Sequence, residues 1–217
     1  MTIRNATLVA TLALLMGGLP FDLMAQAEPS SFDLLIQGGR VVDGTGNPWV
    51  YADVGIRDGR IVSVGQLTGA DATRVIDATG LVVAPGFIDL HTHSDGQLLA
   101  DGTAQSKIRQ GVTLDIAGES SSPAPRDGMP ASSGRGGVRQ DWTTFTGYFD
   151  RVRSQGISMN IITHVSYHQV RRVVKGFDES PATPEELERM KYLTARSMEE
   201  GAWGLVTRFG SGGPQHP

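Results

Sequence analysis

The chain has 217 residues, a formal net charge of -4 and no cysteine. Mild acidity without basic runs argues against nucleic acid as a partner, and the lack of cysteine excludes both disulfides and thiolate metal sites. A hydrophobic content of 39% with 19% charged residues fits a globular protein and argues against a disordered one.

The first 27 residues have the order of an export signal. Arg4 precedes an apolar run from Ala6 to Leu19, and small residues follow around Ala25 and Ala27. This run is shorter than the roughly 20 residues that span a bilayer, so a cleaved signal fits better than an uncleaved anchor. We therefore expect a signal peptide over residues 1–27, an exported (periplasmic or secreted) protein and no stable insertion into a membrane.

Residues 32–80 are predicted to form a small β domain. The segment from Phe32 to Asp43 predicts a strand, a break at the Gly38-Gly39 pair and a second strand. The dipeptide Asp58-Gly59 favours a two-residue hairpin turn of type I′. The other predicted strands are Asp53–Arg57, Arg60–Val64 and Arg74–Asp77.

From Leu81 onward strands and helices alternate, which predicts parallel βα units. The clearest helix starts after Thr183, where Pro184 suits the first position and Glu186 completes a capping box; Gly201 ends it. The other predicted elements are strands at Phe87–Leu90, Val112–Ala117, Ile157–Val165 and Gly204–Thr207, helices at Ala104–Gln110 and Trp142–Gln155, and a Ser/Pro/Gly-rich loop at Gly118–Gly137.

Three candidate metal ligands follow the ends of two predicted strands. His91 and His93 come directly after the strand that ends at Leu90, and alternate residues of an extended segment point the same way. Glu119 follows the next strand. Because the carboxyl ends of parallel strands meet at one edge, the three side chains can share a divalent ion that activates water. The alternative is that His91 and His93 are two surface histidines in a turn and that Glu119 is a loop carboxylate or a helix cap.

Four further residues have two readings each. His164 and His168 each fit either a pocket residue or a group outside the site, which for His164 is a hydrogen-bonded core histidine. Asp95 fits either a hydrogen-bond partner of a metal-bound histidine or a loop cap. Arg171 fits either a contact to a substrate carboxylate or a surface position.

The segment from Val83 to His93 (VAPGFIDLHTH) resembles the first barrel strand of the amidohydrolase superfamily, and Ile36–Gly44 resembles its N-terminal β segment. Two further segments, Gln110–Thr113 and Glu200–Leu205, resemble the branch of the N-acyl-D-amino-acid deacylases, the D-aminoacylases. The likeness runs from about residue 32 to about residue 207.

This resemblance implies an α/β fold: a TIM-like (β/α)₈ barrel preceded by a small β-sandwich segment. Residues 32–80 would be the N-terminal part of a composite β domain and residues 81–217 part of the barrel. The implied reaction is hydrolysis of a non-peptide C–N bond, in N-acyl-D-amino acids, by water bound to a divalent metal, with zinc expected. His91 and His93 would bind one metal. Glu119 occupies the place of a metal-binding residue that is often Cys in the deacylases, and a carboxylate there favours harder metals.

The resemblance also implies two more histidines and a final aspartate, the general base, on barrel strands beyond residue 217. About 135 residues follow Leu81, whereas a (β/α)₈ barrel has about 250. We therefore expect a truncated N-terminal part, inactive by itself, of an enzyme whose partner is a small-molecule amide. The alternatives are a cyclic amidohydrolase acting on a ring amide, and a catalytically inactive fragment.

Overall fold

The computed structural model describes residues 31–119 and 121–207. The predicted signal peptide at residues 1–27 lies outside the described residues, as does the end of the predicted barrel segment. The chain divides into two compact units, and the division falls between Ala84 and Pro85. Within the described ranges, no helix is both long and apolar enough to cross a membrane.

The first unit is a five-stranded sheet organised around its first strand. Strand β1 (Phe32–Val41) pairs antiparallel with β2 (Val50–Arg57) and parallel with β4 (Ala72–Asp77). Strand β3 (Arg60–Gly65) pairs with the far side of β2, and β5 (Val82–Val83) pairs parallel with the end of β1. The first residues of the predicted barrel segment are therefore paired with the first sheet.

The glycine pair does not divide β1 into two strands. Pairing between β1 and β2 shifts register between Ile36 and Gly39, which is a β-bulge. Gly38 there has φ +70, a backbone conformation that glycine adopts without a steric penalty. Because a bulge bends a strand and lets the ladder continue, pairing extends to Val41, and the prediction of two strands is wrong.

The predicted hairpin turn is confirmed. Asp58 and Gly59 have φ +51 and φ +68, the positive values that a type I′ turn requires at both central positions. Arg57 and Arg60 pair on either side of them. Alternate positions of β1 and β2 then point to one side of the sheet, where they form its small apolar core of Val41, Ala52 and Val54.

The second unit contains the predicted parallel strands. Strands β6 (Phe87–Asp89), β7 (Val112–Ala117) and β10 (Asn160–Thr163) form a parallel sheet in the order β10-β7-β6. Strands β11 (Val165–Ser166) and β12 (Leu205–Val206) form a separate parallel pair. The alternation of parallel strands with helices is therefore confirmed.

The predicted third strand of this unit is split between two sheets. Strand β10 ends at Thr163, and the N–H of His164 still donates to Ala117 O of β7 at 2.9 Å. The next N–H, that of Val165, donates instead to Gly204 O at 2.8 Å. One apolar run therefore serves two ladders, which a hydrophobic pattern cannot distinguish from a single strand.

Helices and short elements complete the second unit. The main apolar core packs the three longer helices around β11, through Phe145, Val165, Val170, Met190 and Leu193. The helices are α1 (Gln97–Ala100), α2 (Gln105–Ile108), α3 (Phe145–Gln155), α4 (Tyr167–Lys175) and α5 (Pro184–Glu199); the Ser/Pro/Gly-rich loop and the residues after it hold β8 (Ser132–Ser133), a 3₁₀ turn (Arg135–Gly137) and β9 (Arg139–Gln140).

Two helix starts show how side-chain capping decides a boundary. Helix α3 begins at Phe145, three residues later than the apolar spacing predicts, because the Thr144 hydroxyl accepts the N–H of Gly147 at 3.1 Å. Helix α5 has the predicted capping box: the Thr183 hydroxyl accepts the N–H of Glu186 at 3.2 Å, and the Glu186 carboxylate accepts the N–H of Thr183 at 2.9 Å.

We predict that Thr183→Ala lowers the free energy of unfolding by about 1 kcal/mol, since it leaves a first-turn N–H without its acceptor. Urea unfolding followed by circular dichroism measures this change. Thr183→Ser keeps the hydroxyl and should stay within about 0.5 kcal/mol of wild type. Thr194→Ala, in the middle of the same helix, is the matched control and should not destabilise it. Equal stability of Thr183→Ala and wild type would contradict the role of the cap.

Candidate metal centre

The His-x-His segment is held against β7 directly after β6 ends. The N–H of Thr92 donates to Ile116 O at 3.0 Å, and the Thr92 side chain is buried. The residues on either side of it, His91 and His93, carry partly exposed imidazoles, with 63% and 37% of the side-chain surface accessible. One buried anchor thus holds two neighbouring imidazoles at the edge of the parallel sheet.

The three side chains predicted as metal ligands meet at this edge. The Nε2 atom of His91 lies 2.5 Å from Oε2 of Glu119, and Nε2 of His93 lies 3.9 Å from the same oxygen. The two imidazole centroids are 5.5 Å apart, and one possible ligand atom of each of the three residues lies within 4.8 Å of the others. No other group of three such side chains comes this close among residues 31–119 and 121–207.

The donor set fits a divalent ion. Two imidazole nitrogens and one carboxylate oxygen are ligands that zinc accepts, at about 2.0–2.2 Å each. In a tetrahedral arrangement those lengths separate a nitrogen from an oxygen by about 3.4 Å. The two observed separations from Glu119 Oε2, 2.5 and 3.9 Å, lie on either side of this value. Three donor atoms within 4.8 Å of one another therefore fit a single divalent ion.

Gly118 sets the direction in which the chain leaves β7. Its φ of +95 lies in the region that favours glycine. A Cβ at this position would also run into the backbone of His164 and the hydroxyl of Thr163 on the neighbouring strand. Glycine therefore allows β7 and β10 to approach closely just before the chain reaches Glu119.

Three charged residues lie below the imidazoles, and none of them was a sequence-predicted site residue. Lys107 Nζ lies 2.5 Å from Asp89 Oδ2 and 3.3 Å from Asp115 Oδ1. The Lys107 hydrogen bond, with the N–H of His91, holds the pKa of Asp89 below its usual range. Burial disfavours the charged form of Lys107, but its hydrogen bond to Asp89 and the adjacent Asp115 carboxylate outweigh burial and raise its pKa. The sequence did contain a signal for this cluster: Asp115 is a charged residue inside the apolar run VTLDIA. A buried strand tolerates such a charge only when it has a partner.

Comparison with known protein families decides the class of the protein. The profile described as "Amidohydrolase family" matches residues 74–211, which is well over half of the chain. The chain belongs to the amidohydrolase family. The matched residues include both histidines, Glu119 and all strands of the second unit.

Several relatives of this amidohydrolase are deacylases. A D-aminoacylase from Alcaligenes xylosoxydans xylosoxydans is 36% identical over 194 residues, which cover 85% of this chain and 39% of that protein. An N-acyl-D-aspartate deacylase from the same organism is 34% identical over 184 residues, 82% of this chain and 37% of that protein. The resemblance to the D-aminoacylase branch is therefore confirmed, and the chain spans about two fifths of the length of these relatives.

Solved structures agree with this assignment. A D-aminoacylase structure is 36% identical, has a TM-score of 0.72, and is matched over 81% of this chain and 38% of that one. The N-acyl-D-glutamate deacylase from Bordetella bronchiseptica, solved with zinc and a phosphonate inhibitor, is 32% identical with a TM-score of 0.72, over 82% of this chain and 38% of that one. The mixed α/β architecture of the amidohydrolase is thus shared with these enzymes.

The two histidines after β10 differ in their surroundings. His164 is half-buried, and its Nδ1 lies 3.2 Å from Ala117 O, which agrees with a hydrogen-bonded group. Its ring also packs against Trp203 with centroids 5.6 Å apart. His168 lies on α4, half-buried, with its ring edge-on to Tyr167. Its role as a pocket residue stays a prediction.

Arg171 is not a surface residue, so that prediction is wrong. Its guanidinium is buried and donates to the carbonyl oxygens of Asp178 at 2.9 Å and Ser180 at 2.6 Å. It therefore closes the loop that follows α4. Asp95 accepts the Tyr148 hydroxyl through its backbone carbonyl at 3.2 Å, and the role of its carboxylate stays a prediction.

The loop that leads away from Glu119 is anchored at several points. The indole N–H of Trp142 donates to Pro123 O at 2.9 Å, and the Gln169 amide donates to Pro125 O at 2.8 Å. Farther along, the Asp127 carboxylate accepts two hydrogen bonds from the Arg196 guanidinium, at 2.8 and 2.6 Å. These hydrogen bonds stabilise the charged form of the Asp127 carboxylate, so the pKa of Asp127 lies below its usual range.

We predict that Gly118→Ala destabilises the protein by more than Gly128→Ala. Both glycines have positive φ, +95 and +71, and both substitutions carry the backbone strain of about 1–2 kcal/mol. Only at Gly118 does the added Cβ also meet the neighbouring strand, whereas Gly128 has open space around it. Thermal unfolding of the two variants measures the difference, and an equal loss of stability would contradict the close approach of β7 and β10.

We predict that Asp127→Asn lowers the free energy of unfolding by about 1 kcal/mol near pH 7, since the pair with Arg196 is partly exposed. A carboxyl whose pKa is lowered in the folded state stabilises above its unfolded pKa of about 3.9, and this contribution is lost as the pH falls through the lower folded value. The difference between wild type and Asp127→Asn in urea midpoint should therefore shrink below about pH 4. A difference that does not change with pH would contradict the ion pair.

Proposed function

We propose that this chain is part of a metal-dependent amidohydrolase that cleaves N-acyl-D-amino acids. The observation that carries the proposal is the convergence of His91, His93 and Glu119 within 4.8 Å at the carboxyl edge of a parallel sheet. Its substrate class is supported by the identity of 34–36% to a D-aminoacylase and an N-acyl-D-aspartate deacylase.

Zinc is the metal that this donor set favours. Imidazole and carboxylate together bind it well, and a zinc complex of a related deacylase supports the choice. A zinc ion bound here would lower the pKa of a water molecule and polarise the carbonyl of an amide. The chain's own part is to present two imidazoles from one strand end and one carboxylate from the next. A carboxylate in the place of a thiolate also admits harder ions such as Mn²⁺.

The proposal extends to architecture and location. Strands β6, β7 and β10 are parallel and in chain order, as the first strands of a TIM-like (β/α)₈ barrel would be. In such barrels the active site lies at the carboxyl ends of the strands, which is where the three candidate ligands lie. The first sheet would be part of a β-sandwich, and the signal-like first 27 residues support export.

The ligand assignment is tested by zinc titration against a chromophoric chelator. Wild type should bind zinc, and His91→Ala, His93→Ala and Glu119→Ala should each weaken binding by at least about 10-fold, because each removes one donor. Lys191→Ala removes an exposed side chain that is paired with Glu188 of the same helix, and it should leave zinc affinity unchanged. Wild type that binds no zinc, or a control variant that loses as much affinity as the others, would contradict the assignment.

The substrate assignment is tested with the whole open reading frame that encodes this chain. Hydrolysis of N-acetyl-D-methionine but not of its L isomer, removed by chelation and restored by zinc, is the expected result. A zinc protein that instead opens a ring amide such as a hydantoin is a cyclic amidohydrolase, which contradicts the deacylase proposal. Binding of zinc with no hydrolysis of either substrate class contradicts it as well.

A further inference from the structure

Two carboxylates face each other beneath the candidate ligands. Asp89 of β6 and Asp115 of β7 are direct partners in the parallel pairing of the two strands. Asp115 is completely buried, and Asp89 is partly exposed. Like charges on paired positions of neighbouring strands repel each other, and a buried charge is costly unless it has a partner. A positive charge between the two carboxylates is therefore needed to offset their repulsion and keep β6 and β7 in register.

Lys107 forms an ion pair with both carboxylates and so offsets their repulsion. Its side chain comes from α2, which lies between β6 and β7 in the chain. The ammonium lies 2.5 Å from Asp89 Oδ2 and 3.3 Å from Asp115 Oδ1. No second cation shares an ion pair with either carboxylate within the described ranges.

Both carboxylates are also bonded to the His-x-His segment. The second oxygen of Asp89, Oδ1, accepts the N–H of His91 at 3.2 Å. The second oxygen of Asp115, Oδ2, accepts the hydroxyl of Ser94, the residue after His93, at 2.5 Å. The Ser94 hydroxyl in turn lies 2.9 Å from that of Thr92, between the two histidines. The segment is therefore bonded at both ends to the pair of carboxylates that Lys107 bridges.

We propose that Lys107 is a positioning residue for the candidate metal ligands: it holds Asp89 and Asp115 together, and through them fixes the His91-Thr92-His93 segment beside Glu119. Its effect on metal binding rests on the function proposed above, whereas its effect on the segment does not. Without the ammonium, the two carboxylates repel each other across β6 and β7. The Thr92 N–H then loses its fixed contact with β7, and the imidazoles lose their fixed distance from Glu119.

The experiment compares Lys107→Met with wild type in the intact chain by two measurements. Hydrogen exchange of the Thr92 amide, without metal, reports how firmly the segment is held against β7. Zinc titration reports whether the imidazoles still converge. We expect Thr92 exchange to become at least about 10-fold faster and zinc to bind about 10–100-fold more weakly, the usual effect of losing a residue that orients metal ligands.

Two variants show whether the charge of Lys107 is responsible. Lys107→Arg keeps a cation and should recover most of the Thr92 protection and of the zinc affinity. Lys107→Met combined with Asp115→Asn removes one of the two facing charges while leaving an oxygen for Ser94, and should restore Thr92 protection toward wild type. Both results are expected only if repulsion between the carboxylates moves the segment.

Lys175→Met is the matched control for a general loss of stability. Lys175 also bridges two carboxylates, those of Asp178 at 3.0 Å and Glu186 at 2.9 Å, but between α4 and α5. Its replacement should leave Thr92 exchange and zinc affinity unchanged. Thermal unfolding of every variant identifies any that fails to fold, and the charge-balanced double variant then provides the comparison.

The outcomes separate this proposal from the proposed function. Unchanged Thr92 exchange in a folded Lys107→Met variant overturns it, as does an equal increase in Lys175→Met. If wild type binds no zinc but Thr92 exchange rises in Lys107→Met and is restored in the double variant, the positioning of the segment is supported and the metal assignment fails. If zinc binds to wild type and Lys107→Met with the same affinity, the positioning proposal fails while the metal assignment stands.

Discussion

The candidate centre depends on the parallel pairing of β6 with β7. The two strands end at the same edge because Asp89 pairs with Asp115, and the Thr92 N–H then continues the ladder to Ile116 O. Alternate side chains point the same way, so a slip of one residue would turn the two imidazoles away from Glu119 and place Thr92 there. The positions of the ligands therefore depend on the register of β6 with β7. A strand of three residues has too few ladder contacts to determine that register alone.

Interactions from outside the ladder supply the missing precision. Gly118 lets β10 approach β7 closely, so that the loop carrying Glu119 starts from a fixed point. The same loop is then tied down at Pro123 and Pro125 by buried side-chain donors. On the other strand, bonds to the Asp89 and Asp115 carboxylates hold the His-x-His segment. Each candidate ligand is thus positioned by residues that are not themselves candidate ligands.

The sequence was most informative where a single local rule decides the structure. The Asp58-Gly59 turn and the capping box of Thr183 and Glu186 were predictable because a few adjacent residues satisfy all their hydrogen bonds. The His-x-His segment and Glu119 were predictable because the ends of parallel strands share an edge. The metal ligation, domain bounds and export of the chain stay predictions.

The errors arose where tertiary contacts override local pattern. The glycine pair in β1 reads as a break, but a bulge keeps the strand continuous. The apolar run before His164 reads as one strand, but two different partners divide it. Arg171 reads as a surface cation, but two backbone carbonyls of the loop that follows α4 hold it in the interior. The partners of β10 and β11 lie outside the window in which a pattern is read.

Three unusual features lie next to one another at the candidate ligands. Asp115 is a buried carboxylate in an apolar strand, Gly118 has a positive φ where a side chain would not fit, and His91 is an exposed imidazole close to a carboxylate. Helix α5, by contrast, begins with a complete capping box, as the capping rules require. Proteins retain such local conflicts mainly where function requires them. A buried carboxylate, a close approach of two strands and an exposed imidazole beside a carboxylate at one edge of the parallel sheet are compatible with a chemical role for that edge.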